Sequence, residues 1–284
     1  MIAALKSEYR KLFSTRMWWV LMLCAAGYLA LNAALMAGAL GFTENVLTSD
    51  PELLSDPETM AAQDNPFAFL GEEGGAARMV YSMAGSFAYV FPLLIGALSV
   101  TQEYRHKTIT QTFLAEPRRQ VVLGAKLIAA LPMGLAYGIG CLAATVLPAA
   151  VLLAVTGSDP GFGAAATWAL FGRSLVNFAI WAAVGVGLGA LIKNQVALIV
   201  VALAETQALE PMLRAVPTLI NRDWAWTKFL PGAAGDAIQG GSFYDIMSFD
   251  GDSLPGGWAV LVLVGWAAAL AALGYAANLR RDVS

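Results

Sequence analysis

The chain has 284 residues, 58% of them apolar, and a formal net charge of −3. Charged residues make up 13%, about half the soluble average, and the mean hydropathy is +0.64. So apolar a chain cannot cover itself with its own polar surface, which excludes a water-soluble globule, and its slightly acidic balance excludes a broad nucleic-acid footprint.

Ile2, Leu5, Tyr9, Leu12, Phe13 and Met17 recur at helical spacing, with Lys6, Arg10 and Lys11 off that line. The pattern predicts an interfacial helix over 1–16, lying on the cytoplasmic leaflet until the chain turns inward at Trp18 and Trp19. The apolar run from Met17 to Leu40 exceeds the roughly 7–15 residues of a signal-peptide core and suits a span of about 20. It is a retained first span. In all, six candidate spans lie at about 17–41, 79–100, 128–155, 169–192, 196–212 and 258–279. As one helix, Val121 to Val155 is roughly 52 Å long, against a hydrocarbon core of about 30 Å. Its turn-free middle and Lys126 favour one pass with a cytoplasmic extension, kinked at Pro132 and Pro148.

Charge sets the orientation. With six spans and a cytoplasmic N-terminus, twelve Lys and Arg residues fall inside and five outside, and an extra pass would weaken that bias. The expected fold is an all-α membrane protein: one transmembrane domain over 1–284 with six transmembrane helices and both termini cytoplasmic. An Ala- and Gly-rich, Lys-poor composition points to a bacterial source, hence the bacterial plasma membrane.

The loop 42–78 is acidic and interrupted by Pro51, Pro57 and Pro66. It reads either as an acidic vestibule for a cationic substrate or as a solvated outer loop. The segment 210–257 interleaves Trp226, Phe229 and Leu230 with Asp223, Lys228 and Asp236. It reads either as re-entrant backbone or as an interfacial loop anchored by Trp224, Trp226 and Trp258.

Several chemistries lack their residues. No lysine follows a glycine, so there is no P-loop. The one histidine, His106, lies in a loop, which leaves a Ser or Cys nucleophile without a base inside the membrane. No metal-ligand spacing occurs. Cys24 and Cys141 lie inside apolar runs and read as unpaired. Enzymatic activity and a cofactor bound by this chain are not expected.

Polar residues inside the spans are the remaining candidates. Asn32 reads as interhelical glue or as lining of a translocation path. Glu205 lies about 18 Å beyond Lys193 along the fifth span, followed by Thr206, Gln207 and Glu210. A carboxylate there is costly unless paired, protonated or wetted. Two readings stand for Glu205 and Glu210: a water-accessible path or gate, or a packing network with Arg173, Asn177 or Arg214. Gly134/Gly138 and Gly185/Gly189 have the spacing that permits close helix approach or subunit contact.

The most distinctive stretch is Thr101 to Lys126, basic and partly amphipathic between two apolar runs. It reads Glu103-Tyr-Arg-His-Lys-Thr108-Ile-Thr-Gln-Thr-Phe-Leu114, then Pro117-Arg-Arg and Lys126. This pattern resembles the first cytoplasmic loop of type-2 ABC exporter permeases. The leader from Ser7 to Trp19 is similar to their N-terminal interfacial helix, and Phe229 to Asp236 resembles the segment before their last span. One departure is Lys107, where many relatives carry Gly. The resemblance implies two permease subunits, most simply identical, around a central path, with two separate ATPase subunits that hold ATP and Mg. It implies a coupling helix over about Thr108–Leu114 within the cytoplasmic loop 101–120. Ile109 and Phe113 would then fill an apolar groove on the ATPase, with Glu103, Arg105, Arg118 and Arg119 as its charged rim. The function implied is ATP-driven export of a drug, peptide, lipid or polymer. An ion-coupled secondary carrier using Glu205, or a membrane scaffold recruiting a cytoplasmic partner, are the alternatives.

Overall fold

The computed structural model describes residues 2–49, 74–220, 226–240 and 253–279. These residues are helical with short connections, and no strand occurs among them. The helices are α1 (Ile2–Ser14), α2 (Met17–Ser49), α3 (Gly75–Ala88), α4 (Val90–Arg105), α5 (Ile109–Ala115), α6 (Arg119–Val155), α7 (Ala165–Leu191), α8 (Gln195–Ala204), α9 (Glu210–Ile220), α10 (Pro231–Gln239) and α11 (Gly256–Gly274). Six helical segments are long and apolar enough to cross a membrane: Met17–Thr43, Gly75–Arg105, Arg119–Val155, Ala165–Leu191, Gln195–Val216 and Gly256–Asn278. This is the architecture of a multi-pass membrane protein.

Several boundaries move outward from the apolar runs. The first helix continues to Ser49 because Phe42 to Ser49 contains neither Pro nor Gly. The third run forms a single helix of 37 residues that passes through Pro132 and Pro148. The second span is interrupted at Tyr89, where Pro92 has no N–H to offer the Ala88 carbonyl one turn back. Between α8 and α9 the chain widens into a π turn, Glu205–Leu209. The acidic residues from Asp50 to Glu73 lie outside the described residues, as do Arg222, Asp223, Trp224, Arg280 and Arg281.

The spans run alternately up and down, so α1, α5 and the α7–α8 turn share one end of the bundle. Contacts there fix the register: Arg105 donates to Gln195 at 3.1 Å, and Asn278 donates to the carbonyls of Ala190 at 3.0 Å and Leu191 at 2.7 Å. Asn194 caps α8 by accepting from the N–H groups of Val196 and Ala197 at 2.9 and 3.1 Å.

α7 is the central helix, in contact with α4, α6 and α11. Small residues let it lie close to its neighbours. A methyl group at Gly185 would collide with the Leu93 carbonyl, one at Gly96 with the Ala182 carbonyl, and one at Gly189 with the Ala97 carbonyl. Gly134 and Gly138 of α6 likewise face Phe178. Both glycine pairs therefore serve helix packing within the chain. Trp181, Phe178, Leu93, Leu29, Leu198 and Leu263 fill the core around this seam. By contrast Leu23, Leu31 and Leu35 of α2 and Leu147 and Val151 of α6 face outward, as lipid-covered side chains do.

Candidate functional site

Two buried polar clusters stand out against this apolar bundle, one at each end.

At the α1 end, four charged side chains from three helices meet, joined by a hydroxyl from a fourth. Lys126 of α6 donates to Glu8 of α1 at 2.6 Å and to Glu103 of α4 at 2.9 Å, and completes its donors on the Ser99 carbonyl at 3.1 Å. Lys11 of α1 donates to Glu103 at 2.6 Å, to Glu8 at 2.9 Å and to the Thr112 hydroxyl of α5 at 3.2 Å. Glu8, Glu103 and Lys126 are buried, while the Lys11 side chain keeps 39% of its surface exposed. Burial opposes the charge on Lys11, but the Glu103 and Glu8 carboxylates outweigh it and hold the ammonium above its ordinary 10.5. Two cations and two anions thus balance and tie α1, α4, α5 and α6 together.

The loop after α4 closes by a left-handed turn. Thr108 N–H bonds the Glu103 carbonyl at 2.9 Å and Lys107 N–H the Tyr104 carbonyl at 3.2 Å, with Lys107 at φ 55°. This is a Schellman end, and Lys107 occupies the position glycine favours. The turn forms with Lys in place, at the cost of a left-handed backbone.

The turn aims α5 so that the expected anchor residues point inward. Ile109 is buried at 3% exposure, and Phe113 packs on the cluster containing Val100 and Leu123, with the Arg119 guanidinium 5.1 Å from its ring centre. Glu103 is likewise committed to Lys11 and Lys126 and is no part of an exposed rim. The outward face of α5 is instead Thr110, Gln111 and Leu114, the last 78% exposed. Arg118 is exposed and paired with Glu116 at 2.9 Å, which holds the Glu116 carboxyl below its usual range. Thr108 precedes α5 and accepts backbone N–H of Thr112 at 3.1 Å without a side-chain cap.

At the other end, α10 is inserted among α3, α7 and α11, with Gly232 to Gln239 all buried. The chain reaches deep before α10 begins. Trp266, about 15 Å into α11, donates its indole N–H to the Phe229 carbonyl at 3.0 Å. From Gly232 to Gln239 the segment is a buried helix, while Trp226 and Phe229 before it stay 45% and 50% exposed. Glu210 accepts the N–H groups of Gly232 and Ala233 at 2.9 and 2.8 Å and so satisfies the start of α10. Arg214 pairs with Asp236 at 2.6 Å, both side chains buried, and Ser86 donates to the same carboxylate at 2.9 Å. Tyr89 donates to the Thr206 carbonyl at 3.0 Å, and its ring stacks on Trp181 at 4.4 Å.

Glu205 opens the π turn and Glu210 follows its last residue. Of the partners expected for Glu205, Arg214 serves Asp236, Arg173 lies against Gly240, and Asn177 makes no hydrogen bond. The packing of α10 explains the exchange, since it brings Asp236 to Arg214 first. Asn32 bonds the Tyr28 carbonyl of its own helix at 2.8 Å. It is one turn of α2 and belongs to neither cluster.

Glu8, Lys11 and Asp236 are the functional candidates that sequence patterning passes over. Lys11 and Glu8 share one face of α1 at i and i+3, a signal visible only once a partner is known. Among the described residues no group of His, Cys, Asp and Glu side chains could hold a metal ion. No family model matches the chain, and no curated protein matches it.

Proposed function

We propose that the chain is the membrane-spanning permease subunit of an ATP-driven exporter, powered by a separate ATPase docked at the α1 end. The observation that carries this reading is α5. It is a seven-residue helix held at the end of the bundle by Lys11, Thr112 and Phe113, with Leu114 projecting outward. An apolar side chain on a short, rigidly held helix suits a helix-in-groove contact. The loop residues Glu103 to Leu114 carry the resemblance, and the absence of a P-loop in the sequence requires the ATPase to be another chain. In this reading the α1 end faces the cytoplasm of a bacterium, α1 is the interfacial helix, α5 is the coupling helix, and a second permease subunit completes the path.

The mechanism follows from the fastening. Motion imposed on α5 by the ATPase is passed through Thr112 to Lys11, and from Lys11 to Glu103 and Glu8, so that α1, α4 and α6 move with it. The test is purification of the full chain from its native membrane. A P-loop ATPase that accompanies it, hydrolyses ATP and loses its attachment on Leu114→Asp supports the reading. Transport by the chain alone, driven by an ion gradient, overturns it. That second reading rests on one observation, two carboxylates, Glu205 and Glu210, at either end of the π turn within a span.

A further inference from the structure

The seam between α7 and α10 holds hydrogen-bonding groups that the fold leaves unused. Asn177, Trp181 and Gln239 are 0%, 1% and 1% exposed. Both amide atoms of Asn177, the Trp181 indole N–H and the Gln239 amide nitrogen have no hydrogen-bond partner. Their placement is systematic. Asn177 and Trp181 are four apart on one face of α7, and Gly235 and Gln239 are four apart on the facing side of α10. Gly235 sits on both α7 residues, so closely that a methyl group there would stand 2.9 Å from the Trp181 nitrogen and 3.0 Å from the Asn177 oxygen. Gln239 is held in place by the Ser174 hydroxyl, which donates to its amide oxygen at 3.0 Å.

Buried polar groups without partners cost free energy, and most apolar side chains of similar size would serve packing better. The set is also lopsided, with three donors and one acceptor. Of the nearby charges, Arg214 is answered by Asp236 and Glu210 by the α10 N–H groups, and Arg173 lies against Gly240 on the exposed side, outside the buried set. A matching ligand is therefore uncharged and rich in oxygen acceptors.

We infer that α10 is a lid over a binding site for a neutral, polyhydroxylated group, with Asn177 and Trp181 as its floor and Gln239 at its edge. When α10 lifts, the amide and indole N–H groups meet hydroxyl oxygens, and the Trp181 ring, backed by Tyr89, offers an apolar surface beside them. Such a group arrives either on a free sugar or on a lipid headgroup. The inference stands apart from the ATPase, because binding is measured on the chain alone.

The experiment places the full chain in lipid nanodiscs and follows its melting temperature with two probes, methyl glucoside in the water and octyl glucoside in the bilayer. A saturable rise in melting temperature with either probe is expected, and the responding probe identifies the source. Asn177→Leu and Gln239→Leu should each weaken that response at least ten-fold, with the unliganded melting temperature level or higher for Asn177→Leu and slightly lower for Gln239→Leu, which strands the Ser174 hydroxyl. No saturable response in the unaltered chain, or an unchanged response in both variants, overturns the inference. So does a lower melting temperature with an unchanged response, which marks the groups as paired through buried water. If the leucine variants do not fold, Gly235→Ala decides. It keeps every polar group and wedges the lid, so a stronger response supports the site and an equal or weaker one overturns it.

Discussion

Lys126 and Glu8, 118 positions apart, form an ion pair of 2.6 Å with both side chains buried. The pair fastens the N-terminal helix to the third span, and Glu103 and Lys11 complete it. Removing one member of such a cluster leaves its partners buried and unbalanced. Lys126→Ala should therefore destabilise the protein by about 3–5 kcal/mol, read as a lower melting temperature in nanodiscs. Lys11→Ala should cost clearly less, since its side chain is 39% exposed. A Lys126→Ala protein that melts with the unaltered chain would remove the cluster from the stability of the fold.

The same cluster sets an alkaline limit. The Lys11 ammonium is held above 10.5 by Glu103 and Glu8, although burial opposes it. Its folded pKa exceeds its unfolded one, so its stabilisation is complete below pH 10.5 and is lost as pH rises through the folded value. Melting curves between neutral and strongly alkaline pH should show a loss of stability that Lys11→Ala lacks. Parallel pH profiles of the two proteins would sink this assignment.

At Lys107 the backbone is left-handed with φ 55°, which costs a side chain about 1–2 kcal/mol relative to glycine's freedom. Glycine loses part of that advantage through the greater entropy of its unfolded chain. Lys107→Gly is accordingly expected to stabilise by about 0.5–1 kcal/mol. Lys107→Val should destabilise, because a β-branched side chain is a true outlier in this region. Denaturation of the three proteins side by side checks the order Gly above Lys above Val.

The spans were legible because length and hydropathy alone decide them, whereas Lys107 stood out only as a departure from a loop pattern and its left-handed turn came from the structure. The direction of α5 was not legible. Ile109 and Phe113 lie on one face and Leu114 on another, and periodicity cannot say which meets the chain's own bundle. Nor was the partner of Arg214. Glu205, Glu210 and Asp236 were all available to it, and the choice depends on where α10 inserts, a long-range event no local pattern encodes. The pairing of Glu8 with Lys126 escaped for the same reason.

Glu210 accepts two backbone N–H groups at the start of α10. Glu210→Ala leaves those donors unanswered inside the bundle, a loss of about 1–2 kcal/mol focused on one short helix. Hydrogen exchange at residues 231–239 should accelerate while α7 and α4 stay protected. Glu210→Gln keeps one acceptor and should fall between. Uniform acceleration across the bundle would show that Glu210 supports the whole fold and not the seating of α10.

Ile109 and Leu114 give α5 two opposite tests. Ile109 is 3% exposed, so Ile109→Asp puts a carboxylate into an apolar site and should cost about 3 kcal/mol, with faster exchange at 109–115. Leu114 is 78% exposed, so Leu114→Asp should leave the melting temperature within about 0.5 kcal/mol of the unaltered chain. If α5 docks an ATPase, the outcomes separate further. Leu114→Asp loses the ATPase from an intact permease, whereas Ile109→Asp loses it only along with the helix that presents it. A Leu114→Asp protein that folds and still retains its ATPase with normal coupled hydrolysis would take the docking surface away from α5.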